Sequence, residues 1–171
     1  LSMISLNWGR PALAAFTLLI SACSGPARHA ETTPGTATDH LEVIAADGSV
    51  LARTPIPRQS GWCLYWNHSV TGDGVIDCYV DDLGRMVLHR TYQPDFAAGL
   101  GHYPGRGVLT SAKGGGYWIE DIDEPVPGNA YALRVGSLAV DHRIVTTEGD
   151  EIYLSKMAEH TRVTIRLDTG E

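Results

Sequence analysis

The sequence predicts an all-β domain, a small sandwich or barrel of about nine or ten short antiparallel strands with a central meander. Three observations predict it. Apolar and polar residues alternate along short runs, as they do when one face of a strand is buried. Turn signals built from Asp, Gly and Pro recur between those runs. Helix-like sequence is confined to one short segment, residues 155–160.

In chain order, residues 41–46 and 49–53 flank Asp47-Gly48, the strongest short hairpin signal. Pro55 and Pro57 are then expected to interrupt any strand, because proline cannot donate to a ladder. From Trp62 to Val70 the alternation is strict, and Trp62, Leu64, Trp66, His68 and Val70 share one face. Thr71-Gly72-Asp73-Gly74 turns the chain into residues 75–80, and Asp81-Asp82-Leu83-Gly84 turns it into residues 85–92. These three strands make the meander. Residues 94–107 hold four glycines and two prolines and form the longest expected loop. Residues 108–112 and 117–122 read as a hairpin around Lys113-Gly114-Gly115-Gly116. After a break at Pro125-Val126-Pro127-Gly128 come strands at 131–140, 143–147 and 151–155. A final strand over 161–167 places Val163, Ile165 and Leu167 on one face.

Ahead of this domain the chain is different. One cation, Arg10, precedes an apolar core from Ala12 to Ile20, the layout of a signal peptide. The apolar stretch is far shorter than the roughly 20 residues that span a bilayer. Ile20-Ser21-Ala22-Cys23 resembles the lipobox of bacterial lipoproteins, with an aliphatic residue three places before the cysteine and small residues beside the scissile bond. The resemblance implies cleavage before Cys23, a diacylglyceryl thioether on its thiol and acylation of the new amino group. Ser24, rather than Asp, follows the cysteine. By resemblance to enterobacterial sorting, that favours a periplasm-facing anchor in the outer membrane, with inner membrane or cell surface as the other destinations. Domain boundaries follow: a signal peptide over 1–22, a lipidated cysteine and flexible tether over 23–40, and a single β-rich domain over 41–171. Residues 24–40 are rich in Ala, Thr, Gly and Pro; as a coil they would reach about 23 Å.

Cleavage removes Arg10 alone among the charges, so 13 basic residues become 12 against 20 acidic ones, a net charge of −8. This balance argues against nucleic acid and against attraction to anionic lipid. With Cys23 acylated, Cys63 and Cys78 remain as an even pair in an oxidising compartment, and a disulfide is expected. Two free thiols or a metal pair are the alternatives, though no His or Cys sits at the spacing of a second zinc half-site.

Few motifs suggest chemistry. Residues 69–77 resemble the first nine positions of an EF-hand or dockerin calcium loop, with Ser69 and Thr71 in place of two carboxylates and Val80 where the closing acid belongs. Asp73 and Asp77 are thus only weak metal candidates, and a hairpin turn is the preferred reading. Asp81-Asp82-Leu83-Gly84-Arg85 resembles the core of tyrosine–aspartate repeats, but a single copy implies turn chemistry alone. No H-E-x-x-H, G-x-S-x-G or S-x-x-K pattern occurs, so no catalytic residue and no cofactor is expected. His29 and His40 fall in the tether. His68 and His89 fall in the meander, where a carboxylate such as Asp77 could orient one of them.

Aromatic residues are the more suggestive signal, since Trp and Tyr supply rigid contact area at interfaces. Tyr103, Arg106, Tyr117 and Trp118 are the candidate partner-binding residues, with Phe96 in the same loop region. The expected function is a lipid-anchored envelope protein that binds another protein, as an inhibitor, immunity factor or accessory subunit. A cell-wall glycan-binding module or hydrolase using Asp121 or Asp123 is the alternative, and a structural envelope lipoprotein is the third.

Overall fold

The structure is a computed structural model and describes residues 37–95 and 103–170. The expected anchor at Cys23, most of the tether, and Phe96 lie outside the described residues. Among those described, the chain is an all-β sandwich of two antiparallel sheets and closes into no barrel.

The N-terminal hairpin joins β1 (Thr38–Ala45) to β2 (Val50–Pro57). Asp47 and Gly48 form its turn, with the Asp47 carboxylate accepting from Ser49 N at 2.9 Å and Gly48 at φ +86°. Two expectations need correction here. β1 begins at Thr38, so His40 belongs to a strand and not to the tether. Pro55 and Pro57 do not break β2; they lie within it. Because β2 is the outer strand of its sheet, their missing N–H groups remove no ladder bond.

The meander consists of β3 (Gly61–Asn67), β4 (Gly74–Asp81) and β5 (Met86–Gln93). Cys63 and Cys78 sit directly opposite each other on β3 and β4 and form the expected disulfide. The Asp82–Arg85 turn is closed by backbone bonds of 2.8 and 3.1 Å, with Leu83 and Gly84 both at positive φ. Gly61 is required by close approach: a Cβ there would lie 2.2 Å from the Tyr79 carbonyl oxygen. The expected face of β3 holds for Trp62, Leu64 and Trp66, but β3 ends at Asn67. His68 belongs to the following turn, and Val70 is 85% exposed.

A second hairpin follows, β6 (Val108–Ser111) and β7 (Tyr117–Glu120), and then a two-residue strand β8 (Glu124–Pro125) that pairs with β5. β9 (Ala130–Arg134) is shorter than expected, and residues 135–142 form a loop. β10 (Arg143–Thr146), β11 (Glu151–Tyr153), the short helix α1 (Leu154–Ala158) and β12 (Arg162–Asp168) complete the fold. No helix among the described residues is long and apolar enough to cross a membrane.

The four-stranded sheet runs β2-β1-β12-β9, so the last strand lies between the first and the ninth. The eight-stranded sheet runs β11-β10-β3-β4-β5-β7-β6, with β8 beside β5. Their facing sides share one core. Leu41, Val43, Ile165 and Leu167 from the small sheet meet Trp62, Leu64, Met86 and Ile144 from the large one. Outside the small sheet, Glu42 is held between Arg166 at 2.6 Å and Arg53 at 3.3 Å.

Candidate functional site

The residues singled out by sequence fall at the β6 end of the large sheet. Tyr103 is 57% exposed. The Arg106 guanidinium lies 5.9 Å from the centre of that ring and bridges Glu124 at 3.3 Å. Trp118 is half-buried, with Arg90 4.6 Å over its ring and Tyr92 tilted against it at 5.4 Å. Tyr117 points the other way. It is 6% exposed and donates its hydroxyl to the Asp95 carbonyl at 3.2 Å, so it is mostly interior and reaches the surface only as part of a groove wall. Alternation on β7 requires this, since neighbours on a strand face opposite sides.

Beside Tyr103, all four residues of β6 are exposed, including Val108 and Leu109. β6 is the last strand of its sheet among the described residues. A groove of about 370 Å3 lined by Asp95, Leu109, Ser111 and Tyr117 runs along it. An edge strand with exposed apolar side chains and unpaired backbone groups is a template for pairing.

The weaker candidates do not converge. Asp73 lies in the exposed turn, where its carbonyl accepts from His68 N at 2.7 Å, whereas Asp77 turns toward the interior. No group of three or more His, Cys, Asp or Glu side chains able to hold a metal occurs among the described residues. Asp121 and Asp123 are both exposed and both at positive φ. Asp123, and not Asp77, orients His89, at 3.1 Å.

Sequence reasoning missed a cavity of about 500 Å3 between the two sheets. β3 and β4 supply Leu64, Trp66, Asp77 and Tyr79 to one wall, and β9 supplies Tyr131 and Leu133 to the other. The loop after β9 adds Val140 and His142. Trp62, Tyr79 and Tyr131 form a stack, with ring centres 5.8 and 5.0 Å apart. Trp66 stacks on His142 at 6.1 Å.

A polar chain runs into this space from the large sheet. Gln93 donates to Thr91 at 3.1 Å, and Thr91 donates to Asp77 Oδ1 at 2.6 Å. Asp77 Oδ2 receives only a long contact from Trp66 Nε1, at 3.4 Å. Burial raises the Asp77 carboxyl above the usual range, and the bonds from Thr91 and Trp66 and the more distant charge of Arg106 offset this in part. The Tyr131 hydroxyl is buried. Tyr79 and Trp62 neighbour it, but neither meets it with hydrogen-bond geometry. Burial, reinforced by the nearby Tyr79 and Asp77, raises Tyr131 well above the ordinary tyrosine value. His142 accepts from Gly136 N at its Nδ1, 3.0 Å away, so the neutral ring carries its proton on Nε2. Burial lowers the His142 value, against a smaller opposing pull from Asp141.

The signal for this cavity was present at Val75-Ile76-Asp77-Cys78-Tyr79, where alternation puts Asp77 on the same face as Val75 and Tyr79. In the sequence Asp77 stood out only as a weak calcium-loop candidate and as a carboxylate able to orient His68 or His89.

Residues 63–154 match a family described as Domain of unknown function (DUF1850). The match covers 92 of the 171 residues and includes the disulfide, Asp77, Tyr79, Tyr131 and His142. Neither a curated protein nor a solved structure matches the chain.

Proposed function

For this chain, which belongs to the family described as a domain of unknown function, DUF1850, we propose the role of a lipid-anchored envelope protein that acts by binding another protein and catalyses no reaction. In this reading Cys23 carries the lipid and holds the domain at the outer membrane, facing the periplasm. The partner is an envelope protein that the domain inhibits, protects against or assists.

The observation that carries the reading is the β6 edge. Val108 and Leu109 are exposed on β6, which pairs with β7 on one side and has no neighbouring strand on the other among the described residues, a few residues after the exposed Tyr103. Partner proteins add a strand to such an edge, gaining affinity from backbone bonds and specificity from side-chain pockets. Tyrosine, tryptophan and arginine recur at the residues that dominate interface energetics, and Tyr103, Trp118, Arg90 and Arg106 cluster at this end. The acidic balance is compatible with a basic partner.

A photo-crosslinking residue at position 109 in growing cells tests this. The reading predicts one protein adduct of constant mass, reduced severalfold by Tyr103→Ala without loss of folding. No adduct at position 109 from a chain that is acylated and folded contradicts it and favours a structural envelope lipoprotein. A Cys23→Ala variant should separately lose palmitate labelling and membrane association while the Cys63–Cys78 bond still forms; persistent labelling would overturn the anchor.

A further inference from the structure

The interior of a β-sandwich is filled most stably by apolar side chains, and an inward carboxylate there is costly unless fully paired. Asp77, Thr91 and Gln93 nevertheless project into this one from neighbouring strands. Their bonding capacity is not consumed by the protein. Asp77 Oδ2 has one long contact, and Gln93 Oε1 and the Tyr131 hydroxyl have no partner of good geometry. Asp77 and Tyr131 also lie close enough for the charge of one to act on the other. Asp77 and Tyr131 line the space of about 500 Å3 where the sheets stand apart, so their unused polar capacity converges there. That volume is in the range of small-molecule sites, about 300–1,000 Å3.

The walls decide the ligand. Leu64, Leu133 and Val140 are apolar, and Trp66, Tyr79 and Tyr131 present electron-rich rings. Asp77 is the acidic group in the lining, while His142 is held neutral with its Nδ1 already engaged. Two cationic side chains share the lining: Arg134, exposed on β9, and His160, exposed beside Glu159; Arg106 is not among the lining residues and is engaged by Glu124. From this arrangement we propose that the cavity binds a small amphipathic organic cation, an apolar or aromatic body carrying a protonated amine. The ammonium donates to Asp77 Oδ2 and the Tyr131 hydroxyl, and the body lies against Trp66, Leu133 and Val140. A charge-assisted hydrogen bond is roughly twice as strong as a neutral one, and aromatic rings add attraction for a cation. This site is separate from the β6 edge and does not depend on the protein-binding role.

The test uses the folded domain and three probes of one shape: phenethylamine, 2-phenylethanol and phenylacetate. Titration calorimetry should give one site for the amine, about tenfold tighter than for the alcohol, with the carboxylate weaker still. The amide and indole signals of Trp66 and Leu133 should shift with the same midpoint. Asp77→Asn should abolish the preference for amine over alcohol while leaving the alcohol affinity within about threefold. Tyr131→Phe, which removes the buried hydroxyl at nearly constant volume, should cost the amine a smaller factor. Equal or tighter binding of the alcohol or carboxylate to the unaltered protein overturns the proposal whether or not the variants fold. So does shift perturbation confined to residues outside the cavity, or no binding of the amine at millimolar concentration.

Discussion

Around Trp62 the interior is closed: Trp62, Met86, Ile144 and Ile165 are at most 1% exposed and belong to one contiguous core. Further along β3, around Trp66, the same two sheets border an open cavity lined by a carboxylate, a histidine and a buried phenol. β3 runs through both regions, so the propensity of that strand cannot explain the difference. What differs is the chemistry of the inward positions. On the large sheet, Leu64 pairs with Asp77 and Asp77 with Thr91, where a purely structural sandwich would place aliphatic residues at all three. The closed region holds the sandwich together, and the open region is what a stability-driven sequence would have filled.

That contrast predicts a graded set of responses. Trp62→Ala should be the most damaging, costing about 3–5 kcal/mol in urea denaturation because it empties the closed core. Loss of the Cys63–Cys78 bond, by Cys63→Ala with Cys78→Ala, should cost about 3 kcal/mol, since it frees a loop of about 15 residues in the unfolded chain. Arg53→Ala, on the outer face of the small sheet, should cost under about 1 kcal/mol, because Arg166 still pairs with the buried Glu42 and the half-exposed Arg53 is screened by solvent.

Acidity probes another buried carboxyl, Asp81, paired with Asp39 beside the Asp82–Arg85 turn. Asp81 is fully buried, and burial together with the neighbouring Asp39 raises it to about 6 despite the Gly84 N–H that it accepts and the charge of Arg58. A carboxyl raised in the folded state favours the protonated form. Its contribution is complete below the unfolded value near 3.8 and is lost as pH rises through about 6. Stability should therefore rise on acidification from pH 7.5 toward 5, and Asp81→Asn should remove the Asp81 share of that increment, the raised Asp77 carboxyl contributing in the same direction. His142 opposes it, since burial favours its neutral form and protonation on acidification destabilises the fold. The difference between the variant and the unaltered protein isolates the Asp81 contribution. A stability profile in the variant that keeps the full acid increment would show the carboxyl to be unperturbed.

Local features of this fold were legible in the sequence, and non-local ones were not. Asp47-Gly48 and Leu83-Gly84 specify their hairpins through backbone conformations that few residues adopt. Val163, Ile165 and Leu167 declare the buried face of β12 by alternation alone. The cysteine pair was readable from the number of cysteines and the oxidising compartment that the sequence led one to expect. In contrast, nothing local says that β12 inserts between β1 and β9 or that β10 pairs with β3, because those registers arise from burial shared between segments far apart in the chain. Pro55 and Pro57 misled for the same reason: whether proline breaks a strand depends on whether the strand is at an edge. The cavity was hidden because it needs β3, β4 and β9 together, although the inward setting of Asp77 followed from alternation.

The most direct measurement is the stability of Asp77→Asn at neutral pH by urea denaturation. If Asp77 is kept for a ligand and not for the fold, removing a charge whose protonation burial favours should leave the protein within about 1 kcal/mol of the unaltered chain, or make it more stable. A loss of more than about 2 kcal/mol would show that Asp77 is a structural group paired by Thr91 and Trp66. The open region would then belong to the scaffold, and its carboxylate would not be held in reserve for a ligand.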